Sequence, residues 1–175
     1  MKDRYIVDTN VLIAASAADP TNPKDIDATP ADPELRMRVW QWLDASQSSS
    51  SRMVLDFAGG IYDEYNNKLG FNDFGIQVVM HKWSTAAVDN VDVAYDEHGH
   101  GILQQPLLAV INDDADKKMV AAALDALRQY GEGCVAFAGD TDWHEWEADL
   151  QANRVLLEPI IEDWSRRKHA EKQVR

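Results

Sequence analysis

The sequence predicts an α/β domain built on a largely parallel sheet. Three observations carry that expectation. Short apolar runs of strand type alternate with longer stretches of helical periodicity along the 175 residues. Two of those runs, 4–7 and 134–137, lead directly into acidic residues that open the next segment. A chain of this length, 45% hydrophobic and 27% charged, suits one domain over 1–175 with a core of its own.

Tyr5-Ile6-Val7 is short and apolar and ends on Asp8, after which Thr9-Asn10 open a helix through Val11-Leu12-Ile13-Ala14-Ala15. From Asp19 to Pro33, four prolines (Pro20, Pro23, Pro30, Pro33) among Asp, Asn and Thr specify a loop. Over 34–45, Leu35, Val39, Trp42 and Leu43 share one helix face, and the serines from Ser46 to Ser51 end it. Met53-Val54-Leu55 forms a second strand. Ile61, Tyr65 and Leu69 recur every fourth residue over 60–69, with Glu64 beside the stripe and Gly70 as the stop. Another helix is expected over 73–83. Alternation at Val91, Val93 and Tyr95 around the turn-rich 96–101 predicts a hairpin over 88–104. Met119, Val120, Ala123, Leu124 and Leu127 define a long helix that opens at Asp116 and ends at Gly131 and Gly133. Cys134-Val135-Ala136-Phe137 is a buried-type strand leading to Gly139-Asp140-Thr141-Asp142. A last strand lies near 155–157, with Pro159 placed to start the terminal helix. Strands joined through helices imply parallel pairing and right-handed crossovers.

Charge narrows function. Asp and Glu number 30 against 17 Lys and Arg, for a net charge of -13. Such a chain does not coat nucleic acid through a broad basic surface. It can still grip a phosphodiester through cations held by carboxylates. The single cysteine, Cys134, excludes an intramolecular disulfide and fits a reducing compartment. Charges at Lys2, Asp3 and Arg4 stand where a signal peptide needs apolar residues. No apolar run reaches the ~18 residues of a membrane span, so a cytoplasmic protein without a membrane partner is expected.

The acids fall in a pattern. Asp8 ends the first strand, Asp140 follows the strand 134–137, Asp116 opens the long helix, and Glu64 lies on the helix after strand two. Open α/β sheets bind ligands outside the carboxyl ends of their strands. Carboxylates gathered there repel one another and resist desolvation. A hard cation such as Mg²⁺, which prefers oxygen ligands, removes that conflict. Taken singly, Asp8 is also a natural helix cap, Asp113 and Asp114 compete with Asp116, and Asp63 competes with Glu64. His98 and His100 in their glycine-rich turn lack the partners a zinc site needs. Residues 166–175 carry five cations against one anion, the mark of a solvated helix end or of a phosphate-binding tail.

Four blocks then occur in order: Tyr5-Ile6-Val7-Asp8-Thr9-Asn10-Val11-Leu12, Asp63-Glu64-Tyr65, Asp116-Lys117-Lys118-Met119-Val120-Ala121-Ala122-Ala123, and Ala138-Gly139-Asp140-Thr141-Asp142-Trp143. In this the chain resembles the PIN-domain nucleases. The resemblance implies a three-layer α/β/α sandwich, here with an extra hairpin-like insertion. It implies Mg²⁺- or Mn²⁺-dependent endonucleolytic cleavage of RNA, leaving a 5′-phosphate and a 3′-hydroxyl. By position, Asp8, Glu64, Asp116 and Asp140 correspond to the catalytic, metal-binding quartet, with Asp142 as a fifth acid. Asn10 corresponds to the polar residue beside the first carboxylate, and Lys117 and Lys118 are placed for substrate phosphates. Many small members are toxins, so an antitoxin partner or a homodimer belongs to the expectation. The alternative is a PIN-like metal- and RNA-binding protein without turnover. Ala138 favours that alternative, since it stands where family members often carry Ser or Thr. Haloacid-dehalogenase chemistry is excluded, because Asn10 occupies the position of its second Asp.

Overall fold

Tyr5, Ile6 and Val7 are all buried, as are Met53, Val54 and Leu55 and the whole of Cys134–Phe137. Runs without polar alternation belong in a sheet covered on both faces. In the computed structural model, which describes residues 1–22 and 24–174, the strands are Arg4–Val7 (β1), Arg52–Asp56 (β2), Val88–Val91 (β3), Cys134–Phe137 (β4) and Leu156–Pro159 (β5). They form one parallel sheet in the order β3-β2-β1-β4-β5. Tyr5 registers with Met53 on one side of β1, and Val7 with Ala136 on the other. The order reverses at β1, so the crevice that binds ligands in such sheets opens beyond the ends of β1 and β4.

Helices Thr9–Ala18 (α1), Pro33–Ser48 (α2), Gly60–Lys68 (α3), Phe74–Ser84 (α4), Leu107–Val110 (α5), Lys117–Tyr130 (α6), Glu147–Ala152 (α7) and Glu162–Gln173 (α8) complete the described chain. α1, α2 and α4 pack on one another on one side of the sheet, while α6 lies against β1, β2, β3 and β4. The result is a three-layer α/β/α sandwich. Local chemistry sets the helix ends. Asp32 caps α2 by accepting from the N–H groups of Glu34 and Leu35, with Pro33 at the first helical position. Gly131, at φ 80°, ends α6 in the left-handed conformation that glycine adopts freely.

Three expectations change. The segment 88–104 divides: Val88–Val91 pairs in parallel with β2, and only a bridge between Tyr95 and Gly101 is antiparallel. The open edge of β2 offers a longer ladder than the turn can. Pro159 closes β5 beside Phe137, and α8 begins at Glu162. β5 is an edge strand, where a residue without an N–H costs little. The helix predicted over 34–45 continues to Ser48 before Ser49 caps it. Of the loop predicted from Asp19 to Pro33, the described residues are irregular up to Asp32, and Pro33 is the first residue of α2; Pro23 and Arg175 lie outside the described residues. No helix among the described residues is long and apolar enough to cross a membrane.

Candidate metal centre

Asp8 leaves β1 and caps α1. Its Oδ1 accepts the Asn10 backbone N–H at 2.6 Å, and its Oδ2 accepts the Trp143 indole N–H at 2.7 Å. Asp116 stands at the cap position of α6 and is 7% exposed, and its Oδ2 has no hydrogen-bond partner among the described residues. Asp140 follows β4, is partly buried, and accepts the Asp142 N–H at 2.9 Å. One carboxylate oxygen from each of the three lies within 4.8 Å of the others. Among the described residues no other group of His, Cys, Asp or Glu is placed to hold a metal ion. In the exposed turn, His98 lies near Glu97, and His100 near Asp96 and Asp114, without a shared metal-holding point.

Electrostatics make this triad unstable when bare. Burial, and then the Asp140 charge, push the Asp8 carboxyl up to about 7. Burial, and then the charges of Asp8 and Asp140, push Asp116 up to about 9. Asp140 is also raised, chiefly by burial. Two helix N-termini, those of α1 and α6, bring partial positive charge to the same point but do not cancel three anions. The bare triad therefore retains protons near neutrality. Asp116, with a buried oxygen that no donor among the described residues reaches, and its two neighbouring carboxylates form a donor set that fits a hard divalent cation.

No family model, curated protein or solved structure matches the chain.

Around the triad, the other residues singled out in the sequence take different places. Glu64 lies beside the three acids and outside their circle: its Oε1 accepts from the Thr9 hydroxyl, and its Oε2 pairs with Lys118 Nζ at 2.5 Å. Its charge still reaches Asp8 and Asp116 and adds to the rise of both. Asp142 pairs through Oδ1 with Lys172 at 2.5 Å and contributes its N–H to Asp140. Asn10 serves Asp8 through its backbone, while its side-chain oxygen accepts the Gly139 N–H at 3.0 Å and steadies the loop before Asp140. Lys117 pairs with Asp114. Ala138 is fully buried. In the basic tail, Arg166 pairs with Glu147 and Glu162, and Lys168 with Glu171.

Sequence reasoning misses the role of Trp143, which is fully buried and fixes Oδ2 of Asp8. The available signal is its place directly after the acidic loop: the 3₁₀ turn Asp142–His144 carries the indole to Asp8, among the rings of Phe137 and Trp146. Two cavities lie near the triad, and neither is lined by Asp8, Asp116 or Asp140. One of about 590 Å³ is lined by Glu64, Lys68, Tyr95 and Lys118, and one of about 360 Å³ by Gly139, Thr141, Trp164 and Lys172. A third, of about 470 Å³, lies between the 92–107 segment and α6, with Asp92 and Asp125 as the acids in its wall.

Gly139 has no room for a side chain. A Cβ there would collide with the Thr29 carbonyl oxygen and with Asn10 Oδ1. Gly139→Ala should therefore displace the Asp140 loop, lower stability by roughly 1–3 kcal/mol and weaken Mn²⁺ binding. Thermal melts with and without Mn²⁺ check both effects; an unchanged melt would mean that the loop is slack.

Proposed function

We propose that the chain is a divalent-metal-dependent endoribonuclease of PIN type, with Asp8, Asp116 and Asp140 as the residues that hold Mg²⁺ or Mn²⁺. The observation that supports it most is the buried triad itself, with its donorless Asp116 oxygen at the switch point of the sheet. The order of the four sequence blocks supports RNA as the polymer. When bound, the ion supplies Lewis-acid charge to a phosphodiester and makes water at the site more acidic.

The chain's own residues do the rest. Asn10 N–H and Trp143 fix both oxygens of Asp8, so this carboxylate is oriented before any ligand arrives. The N-termini of α1 and α6 favour an anionic phosphate at the same place. Lys118 lines the larger cavity with its ammonium paired to Glu64. Neither His nor Cys belongs to the triad.

The test is cleavage of an end-labelled RNA and of the same sequence as DNA, with Mn²⁺ and with a chelator. The expected result is internal cleavage of RNA, dependent on Mn²⁺, leaving 5′-phosphate ends. Cleavage that persists undiminished in the chelator would overturn the proposal. Stabilisation by Mn²⁺ with neither polymer cut would replace it with binding without turnover.

A further inference from the structure

Glu64 is the fourth acid at this site, yet it is already neutralised from within the chain. Lys118, the second residue of α6, places Nζ 2.5 Å from Glu64 Oε2 and 3.0 Å from the Ala115 carbonyl oxygen. Its side chain is only 10% exposed. The other Glu64 oxygen accepts from Thr9. Both oxygens of this carboxylate are thus engaged by donors of the protein, while Asp116 Oδ2, in the triad, is engaged by none. A lysine in the first turn of a helix ordinarily turns its ammonium toward the surface, as Lys117, its side chain 18% exposed, does by pairing with the exposed Asp114. Lys118 is instead drawn inward, between α6 and α3, at the wall of the 590 Å³ cavity.

We infer that Lys118 is a resident cation of the site, standing where a second divalent ion would need Glu64, so that the chain binds one divalent ion and not two. The inference rests on reading the triad as a metal centre. Four carboxylates, Asp8, Glu64, Asp116 and Asp140, with one ammonium leave three negative charges. One divalent ion reduces these to a single negative charge. A second would reverse the sign and would sit against the ammonium, in a setting with little water to screen them. It would also have to displace Lys118 from Glu64, leaving a buried ammonium short of an acceptor. The lysine thereby supplies fixed positive charge beside the cavity, without the dissociation that limits a weakly held ion.

Mn²⁺ stoichiometry decides the matter. It is measured by equilibrium dialysis on the full chain and by the paramagnetic resonance spectrum, in which two neighbouring Mn²⁺ ions couple and one does not. The wild type should bind one ion with an uncoupled spectrum. Lys118→Met should bind two with a coupled spectrum, and adding Glu64→Gln to it should restore one. Lys118→Arg, which keeps the charge, should stay at one. Glu64→Gln alone should keep the single ion with its Kd within about threefold, because Glu64 is not its ligand; this variant decides the issue if Lys118→Met does not fold. Two ions on the wild type, one ion on folded Lys118→Met, or a tenfold loss of affinity in Glu64→Gln would each overturn the inference. No ion on the wild type would overturn the metal-centre reading beneath it, a result distinct from the other three.

Discussion

Asp116→Asn should melt higher than the wild type at pH 8 in the absence of metal, by roughly 5–10 °C. Asp116 is buried, receives no hydrogen bond at Oδ2, and faces Asp8 and Asp140. Its carboxyl is pushed up to about 9 by burial and by those two charges. The sign follows from proton counts. Between the ordinary carboxylate range near pH 4 and the folded value, the native state holds a proton that the unfolded state has released. Wild-type stability therefore falls as pH rises through that window. Each tenfold change in proton affinity is worth about 1.4 kcal/mol, and the repulsion shared with Asp8 must be counted once, so the loss by pH 8 is about 2–4 kcal/mol. The amide is the same size and never ionises, and its N–H can donate to the neighbouring carboxylates. At 2–4 °C per kcal/mol for a domain of this length, the predicted rise follows. Near pH 4 the difference should vanish.

Metal should cancel this advantage. An ion that binds only the folded state adds about 2.7 kcal/mol at a hundred times its Kd. Wild type should gain that in Mn²⁺ and the variant should gain little, bringing the two melts together or reversing them. A variant that melts lower without metal at pH 8, or that keeps the full Mn²⁺ gain, would show that Asp116 is a structural cap and not a ligand.

How much of this is legible in the sequence depends on the range of the forces involved. Asp8, Asp116 and Asp140 can be found because each ends a strand or starts a helix, and local periodicity locates such ends. That they converge follows from parallel topology, which sends every strand's carboxyl end to one side. Glu64 falls on α3 as its apolar neighbours predict, yet its partner is not foreseeable: Lys118 reaches it only after α3 and α6 pack. Lys117 and Lys118 look alike in the chain, and one helical residue separates a solvent-side ion pair from an inward one. Trp143 looks like ordinary core, and its indole N–H is buried with everything else; only the fold shows that its partner is Asp8. The edge strand Val88–Val91 looks like half of a hairpin because alternation does not say which neighbour a strand will choose.

The same geometry determines which mutant tests catalysis cleanly. Asp8→Asn is the obvious choice and a poor one. Both oxygens of Asp8 accept N–H groups, from Asn10 and from Trp143. An amide has one oxygen, so its NH₂ must face one of those donors. Leaving such a buried donor unpaired costs about 1–3 kcal/mol, which offsets the relief of removing a charge. Loss of activity in that variant would mix a missing ligand with a displaced Trp143. Asp140 differs: one oxygen accepts the Asp142 N–H, and no donor among the described residues claims the other. Asp140→Asn can keep that bond through its amide oxygen and turn its NH₂ toward the triad. It should fold as well as the wild type, yet lower the Mn²⁺-dependent RNA cleavage that the proposed function requires by more than about a hundredfold. That exceeds the 10–100-fold typical when only an outer partner of a metal ligand is lost. Cleavage rates and melting curves taken on the same samples separate the cases. Full activity in folded Asp140→Asn would remove Asp140 from the centre, and equal melts for the Asp8 and Asp140 variants would remove the structural role given to Trp143.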